Sequence, residues 1–313
     1  MSPRVVYFNG RFVPESEARV SIYDSALQFG DMAFEVARTI LGRPYRLEEH
    51  LLRLRHSLSA MRIDPGLDDA ELERATRETL RRNAPSEPAD VDWQIVHNVS
   101  RGPLPAFSRA FAADELRPTV IIACYPLTER MARLAPAYDA GWDLVIPPQR
   151  SIPAQLLDPR LKTRSRLHYQ IANLQAEAIR HGAVAALLDT EGYLTEGTSG
   201  NLFLVRAGKL LTPRPRDILL GVTRGAILEL AEPLGLSPAE VDLTPQDALA
   251  ADEMFVTSTS VGIVHARSFE GKTILDGRAG PVTSRLRAAF FASVGLDFAE
   301  QARGYARRLG LAV

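Results

Sequence analysis

The chain lacks the marks of several protein classes. It has one cysteine among 313 residues, so no internal disulfide can form. That cysteine, Cys124, stands in the apolar run Val120–Tyr125, which reads as a buried strand, so a small core residue is favoured over a reactive thiol. No apolar run approaches the length of a membrane span; Val120–Cys124 and Ala183–Leu188 are strand-length. The opening Met1-Ser-Pro-Arg-Val-Val-Tyr-Phe lacks the apolar core of a secretion signal, which predicts a cytoplasmic protein. A formal net charge of −1 leaves no electrostatic case for nucleic acid or an anionic membrane surface. Metal ligands are missing too, because His50 and His56 lie on different faces of one helix. Gly271-Lys272-Thr273 is not a phosphate loop, since position 266, where such a loop needs glycine, holds alanine. Gly197-Thr-Ser199-Gly200 has the wrong spacing for a nucleophile elbow.

What is present is an ordinary enzyme-like composition, 46% hydrophobic and 24% charged. Val5–Val13 holds two short apolar runs joined by Asn9-Gly10, the strongest hairpin signal. The spacing of Leu51, Leu54, Leu58 and Met61 predicts a helix from about Leu47, and Asp68–Arg82 a second, more exposed one. Asp92–Ser100 and Thr119–Tyr125 read as strands. Residues 126–133 lack periodicity and are the candidate linker. Beyond it, Asp143–Ile146 reads as a strand. Ser165 is expected to cap a helix reaching about His181, with Leu167, Ile171, Leu174 and Ala178 inward. Strands follow at Ala183–Asp189, Leu202–Val205, Leu210-Leu211 and Met254–Thr257. Thr223–Leu234 and Val282–Val294 read as helices, and Thr244-Pro-Gln-Asp247 as a capping signature. Gly262–Ser268 and Thr273–Leu275 form a hairpin. The expected architecture is α+β with mixed and antiparallel sheets, in a small domain over 1–125, a linker over 126–133 and a large domain over 134–313.

Of 37 basic residues only three are lysines: Lys162, Lys209 and Lys272. Lys209 and Lys272 sit in tight turns beside glycine, where a solvated lysine is expected. Lys162 stands in Asp158-Pro-Arg-Leu-Lys-Thr-Arg-Ser-Arg166, flanked by Arg160, Arg164 and Arg166. Nearby cations favour the neutral amine that attacks carbonyls. On its own, such a lysine reads more often as a solvated surface charge.

Four blocks change that weighting. They are Leu161-Lys162-x-x-Ser165-Arg166-Leu167, Leu188–Phe203 with Glu196-Gly-Thr-Ser-Gly-Asn201, Ile218–Arg224, and Ala251–Thr259. Gln28-Phe-Gly-Asp31, Phe34-Glu35 and Glu49-His50-x-x-Arg53-Leu54 extend the pattern toward the N-terminus. In order and spacing these resemble the class IV, fold-type IV, pyridoxal-phosphate enzymes, whose members include branched-chain and D-amino-acid aminotransferases, (R)-amine transaminases and aminodeoxychorismate lyases. The resemblance implies a two-domain fold of the D-amino-acid aminotransferase type, with pyridoxal 5′-phosphate as cofactor. Lys162 would form the Schiff base and shuttle the proton. Glu196 would hold the pyridine nitrogen protonated. Arg53, the helix start at Val222 and Thr223, and Ser258 and Thr259 would hold the phosphate. Without the resemblance, Glu196 reads as an exposed strand-end residue, Arg53 as a solvated face residue and Ser258–Ser260 as a polar turn.

Two departures stand out. Arg166 occupies the place where branched-chain enzymes put a tyrosine against cofactor O3′, and Tyr169 is expected to lie too far along the helix to replace it. Ala106 and Ser108 occupy the positions of the D-amino-acid enzymes' carboxylate-binding Arg-x-His pair, after Ser100-Arg101-Gly102. Phe34, Arg38, Arg101 and Ser260 are therefore the candidate substrate contacts, with Arg109 as a further replacement. The resemblance implies an aminotransferase acting on an amino acid, branched-chain or aliphatic, and a 2-oxo acid. An aminodeoxychorismate lyase and an (R)-amine transaminase are the alternatives on the same scaffold. Members complete the site with a loop from a second subunit, so a homodimer is expected, with the loops near Phe29 and Arg101–Phe107 contributing.

Overall fold

The computed structural model describes residues 3–112 and 115–312. The chain divides into two compact units. One comprises Met1–Leu127 and Leu161–Arg166, the other Thr128–Arg160 and Leu167–Val313.

The first unit is one sheet with two long helices on one face. Its strands are β1 (Val5–Phe8), β2 (Arg11–Pro14), β3 (Met32–Ile40), β4 (Arg43–Pro44), β5 (Trp93–Ser100) and β6 (Thr119–Pro126), ordered β2-β1-β6-β5-β3-β4. Its helices are α1 (Ser25–Phe29), α2 (Leu47–Met61) and α3 (Asp69–Asn83). Asn9 (φ 49°) and Gly10 (φ 88°) make the first hairpin as a turn with both central residues left-handed. Asp68 and Glu71 close a reciprocal capping box at the start of α3. Leu51, Leu54 and Leu58 of α2 bury against Ala33, Ala37 and Ile95 of the sheet. That alternation sends Ala33, Glu35 and Ala37 toward the helices, and Phe34, Val36 and Arg38 to the opposite face.

Residues Leu161–Arg166 belong here because they pair with β3. Phe34 N–H donates to the Lys162 carbonyl (2.9 Å) and Arg164 N–H to the Met32 carbonyl (2.8 Å), with a bridge between Ala33 and Thr163. Ser165 is not the helix cap expected of it; its hydroxyl donates to the Gly30 carbonyl at 3.1 Å.

The second unit contains α4 (Thr128–Ala140), β7 (Trp142–Val145), α5 (Leu167–Ile179), β8 (Val184–Leu188), β9 (Leu194–Gly197), β10 (Gly200–Arg206) and β11 (Lys209–Pro213). It continues with α6 (Val222–Ala231), β12 (Pro238–Val241), α7 (Pro245–Leu249), β13 (Glu253–Ser258), β14 (Gly262–Phe269), β15 (Lys272–Thr273), α8 (Pro281–Val294) and α9 (Phe298–Arg308). The strands run β12-β11-β10-β13-β14-β7-β8-β9, and β9 also pairs with β10, so β10, β13, β14, β7, β8 and β9 form a closed ring. Three pairings are parallel (β11–β12, β14–β7, β7–β8) and the rest antiparallel, so the sheet is mixed. Cross-strand partners Phe203 and Phe255 stack at 4.9 Å in its core. Among the described residues no helix is long and apolar enough to cross a membrane.

Three expectations need correction. The candidate linker 126–133 is mostly helix, because Met131, Ala132, Ala135 and Tyr138 bury one face of α4; Pro136 inside the helix obscured the stripe. The buried face of α5 carries Ala172 and Ala176, not the expected leucines, and Leu167 and Leu174 are 73% and 62% exposed. Small residues let α5 lie close on β8, where Ala185 and Leu187 receive it. Helix α9, capped by Asp297, was not foreseen.

His97 of β5 yields a prediction. Its Nε2 lies 2.8 Å from Thr76 Oγ1, whose own proton goes to the Leu72 carbonyl, and its Nδ1 has no partner. Burial pushes its pKa down to about 4 from 6.5, so the fold holds it neutral while the unfolded chain takes a proton. The sign follows: this contribution is present above pH 6.5 and lost as pH falls toward about 4. The loss is about 3 kcal/mol by linkage. His97→Gln, which keeps a donor for Thr76, should flatten the pH dependence of urea-unfolding stability across that window. An unchanged slope would contradict the assignment.

Candidate active site

In the first unit the site begins with a buried charge cluster. Glu35 on β3 is fully buried and faces α2. Arg53 Nε and Nη2 donate to its two oxygens at 2.8 and 2.6 Å, a two-point clamp. His50, one turn earlier, lies 3.1 Å away through Nδ1. Because a carboxylate only accepts, Nδ1 carries the proton and Nε2 is bare. Burial would raise the Glu35 carboxyl, but Arg53 and His50 overcome it and hold it well below the carboxylate range. Burial and the cations of Arg53 and Lys162 lower the His50 pKa against the pull of Glu35. The pair is therefore Glu35 carboxylate with Arg53 cation, and His50 is a neutral donor. Arg53 is not the solvated residue its place off the apolar stripe suggests; its side chain is only 11% exposed.

Lys162 is held by its backbone. Besides the bond to Phe34, its N–H donates to Ser57 Oγ (3.0 Å), and Ser57 in turn donates to the Arg53 carbonyl (3.1 Å). Lys162 Nζ lies 4.9 Å from the Phe34 ring centroid. Two more cations share that ring, Arg164 Cζ at 3.9 Å and Arg166 Cζ at 5.4 Å.

In the second unit, Glu196 lies within β9 and is buried. Its Oε1 accepts from Tyr169 Oη at 2.8 Å. Its Oε2 accepts from Asn201 Nδ2 and Leu219 N–H, both at 3.1 Å. Asn201 is its register partner where the ring of strands closes. Gly221 caps α6, and a Cβ there would come within 2.2 Å of Asn201 Oδ1, so only glycine lets the helix begin against this residue. No side chain caps α6, and its first residues, Val222 and Thr223, are buried. Ser258 ends β13 and Thr259 and Ser260 form the turn into β14, with Ser260 buried. Tyr138 Oη donates to the Val261 carbonyl (2.9 Å), and Gly262 (φ 67°) completes the turn against Phe290 and Phe298.

Two expected substrate contacts are committed elsewhere. Arg38 is fully buried, with Nε on the Thr39 carbonyl and Nη2 3.7 Å from Asp92. Arg101 pairs with Asp31 (2.7 Å) and donates to the Met61 and Arg62 carbonyls, closing the C-terminal end of α2. Ser57, Tyr169 and Asn201 were not foreseen as site residues. The i, i+3 spacing of His50 and Arg53 and the Asn in the Glu196 block were visible signals; nothing local marked Ser57 or Tyr169.

The family model for amino-transferase class IV matches residues 32–269. The chain belongs to the class IV aminotransferase family. It is 32% identical over 288 residues to a putative branched-chain-amino-acid aminotransferase of Methanocaldococcus jannaschii, covering 91% of this chain and 94% of that one. It is 30% identical to a D-alanine aminotransferase of Bacillus licheniformis, covering 92% and 96%. The solved branched-chain amino acid aminotransferase from Thermobaculum terrenum, in its PLP-form, superposes with a TM-score of 0.79 at 26% identity, covering 97% of each chain. The protein is a transaminase, and pyridoxal 5′-phosphate is the family's cofactor. Its donor set fits that group: a buried carboxylate fixed by three donors for a ring nitrogen, a helix start without a side-chain cap for a phosphate, and a backbone-anchored lysine.

Removing Arg53 tests the cluster. Arg53→Leu strands the buried Glu35 carboxylate, which should cost about 3–5 kcal/mol. Arg53→Lys should recover only part, because one ammonium cannot reproduce the fork. Thermal unfolding of the cofactor-free protein reads both, and an unchanged melting temperature in Arg53→Leu would refute the pairing.

Proposed function

We propose that the enzyme transfers an amino group between a branched-chain or aliphatic amino acid and a 2-oxo acid. The observation that carries the chemistry is Glu196, a buried carboxylate fixed by Tyr169, Asn201 and Leu219. A carboxylate so anchored keeps a pyridine nitrogen protonated, which a mere binding protein would not need. The aliphatic preference rests on the relatives named branched-chain aminotransferases.

When bound, the cofactor supplies an electron sink for the pair left behind as a proton leaves the substrate Cα. The chain's residues do the rest. By the family resemblance Lys162 would carry the cofactor and move that proton between Cα and the C4′ carbon. The resemblance gives Arg53, the backbone N–H groups of Val222 and Thr223, and the Ser258-Thr259 turn as the groups that would hold the phosphate. Arg166 stands where related enzymes contact O3′. Phe34, whose ring lies beside Lys162, and the Thr259-Ser260 peptide are the groups that would meet the substrate.

We propose a cytoplasmic homodimer. Leu27 and Phe29 of α1 are 65% and 71% exposed, and Leu167 and Leu174 share an exposed face of α5. These exposed apolar side chains are the ones a second copy would cover. Sedimentation at assay concentration should give a dimer, and a fully active monomer would sink this part of the reading.

An absorbance spectrum tests the function. The purified protein should show a visible band that Lys162→Ala lacks. L-Leucine should bleach it more effectively than D-alanine, an (R)-aryl amine or aminodeoxychorismate. Bleaching by one of the latter three alone would reassign the substrate. No band in excess pyridoxal phosphate would overturn the reading.

A further inference from the structure

Tyr169 reaches Glu196 from a helix that is built to bring it there. Residues 169, 172, 173 and 176 share one face of α5. Ala172 and Ala176 are fully buried against Ala185 and Leu187 of β8, and two alanines let the helix lie close to the sheet. The half-buried Tyr169 ring packs against the same cluster, and its hydroxyl donates to Glu196 Oε1 on β9 at 2.8 Å. One helical turn on, Asn173 Oδ1 accepts from Thr198 Oγ1 at 2.6 Å. Glu196 ends one side of the β9–β10 turn and Thr198 lies within it. Helix α5 therefore grips this turn at two points, and the second contact fixes the register of the first.

The other carboxylate oxygen is settled without Tyr169. Glu196 Oε2 accepts from Asn201 Nδ2 and from the Leu219 N–H, and Asn201 is itself held by the Leu219 carbonyl at 2.8 Å. Those contacts already orient the buried carboxylate. What Tyr169 adds is a different kind of donor. A phenol, with an ordinary pKa near 10, is far more acidic than an amide. Its O–H bond to a carboxylate is short and draws negative charge onto the donor. A carboxylate that shares its charge in this way attracts a facing N–H cation less strongly.

We propose that Tyr169 acts through Glu196 on the cofactor's ring nitrogen: by donating to Oε1 it draws off part of the carboxylate's charge and loosens the nitrogen's hold on its proton. Tyr169 is a positioning residue in this role, since it touches the carboxylate and not the ring. The proposal rests on the transaminase reading above.

The test loads the enzyme with pyridoxal phosphate carrying nitrogen-15 in its ring and reads that nitrogen's chemical shift, which separates protonated from neutral pyridine. Tyr169→Phe removes the donor. Site-specific 3-fluorotyrosine in place of Tyr169 keeps the shape and makes a stronger donor, read at a pH where the phenol keeps its proton. The shift should move toward the fully protonated value in Tyr169→Phe and toward the neutral value with fluorotyrosine. The pH of half-protonation should rise by roughly one unit in Tyr169→Phe, the size expected for losing one hydrogen bond to a charged group. Any other pattern overturns the assignment; a move toward the neutral value in Tyr169→Phe would mean that the phenol only holds the carboxylate in place. If Tyr169→Phe does not fold, the fluorotyrosine protein decides alone. Glu196→Gln keeps the two readings apart, because it should leave the nitrogen neutral whatever stands at 169. A nitrogen already neutral in the wild type would overturn the reading of Glu196, and this inference with it. A protonated nitrogen that Glu196→Gln neutralises and both changes at Tyr169 leave unmoved would overturn this inference alone.

Discussion

The placement of Lys162 depends on a short segment that belongs to neither sheet's named strands. Residues Leu161–Arg166 lie along the edge of β3, and two backbone hydrogen bonds to Met32 and Phe34 set their register. Successive residues of an extended segment point to opposite sides, so this register decides which way Lys162, Arg164 and Arg166 face. All three come to the one ring that Phe34 offers. A slip of one residue would turn Thr163 and Ser165 toward that ring and the cations away. The Ser57 hydroxyl guards against the slip, since it accepts from the Lys162 N–H and is itself held by the helix turn of Arg53. Lysine is a long, flexible side chain; fixing its backbone on both sides reduces the entropy lost when its amine must meet one atom.

Local signals carried well into the structure. Asn9-Gly10 needs left-handed backbone at both positions and has it. The caps at Asp68 and Thr244 both close with the acid three residues on. The Lys162 and Glu196 blocks were legible in the sequence because those motifs are themselves local. Long-range pairings were not legible. The charge of Glu35 in an apolar strand has meaning only with Arg53 eighteen residues on, and the buried Arg38 only with Asp92. For α5, apolar periodicity pointed to leucines inward, yet the close approach to β8 selected Ala172 and Ala176. Periodicity reports that a helix has an apolar face; it does not say whether this chain or another covers it.

The two key carboxylates are stabilised by different means suited to different work. Glu35 is neutralised by a cation and a neutral donor, so its charge is consumed inside the fold. Its task is structural, holding Arg53 at a fixed angle. Glu196 is held by a phenol, an amide and a backbone N–H. These neutral donors position the carboxylate, whose charge would then act on a protonated ring nitrogen.

Tyr169 belongs to the same logic. Tyr169, inside α5, donates to Glu196, the carboxylate that the family resemblance would set against the ring nitrogen. Arg166 at the earlier position replaces a neutral hydroxyl with a cation, which would stabilise negative charge at O3′ more strongly than a hydroxyl can. With the cofactor bound, such a cation would draw electron density toward O3′, and the phenol on Glu196 would share part of the carboxylate's charge. An arginine at that position and a phenol on the carboxylate would each bear on how firmly a pyridine nitrogen keeps its proton, the first by stabilising negative charge at O3′ and the second by sharing the charge of Glu196.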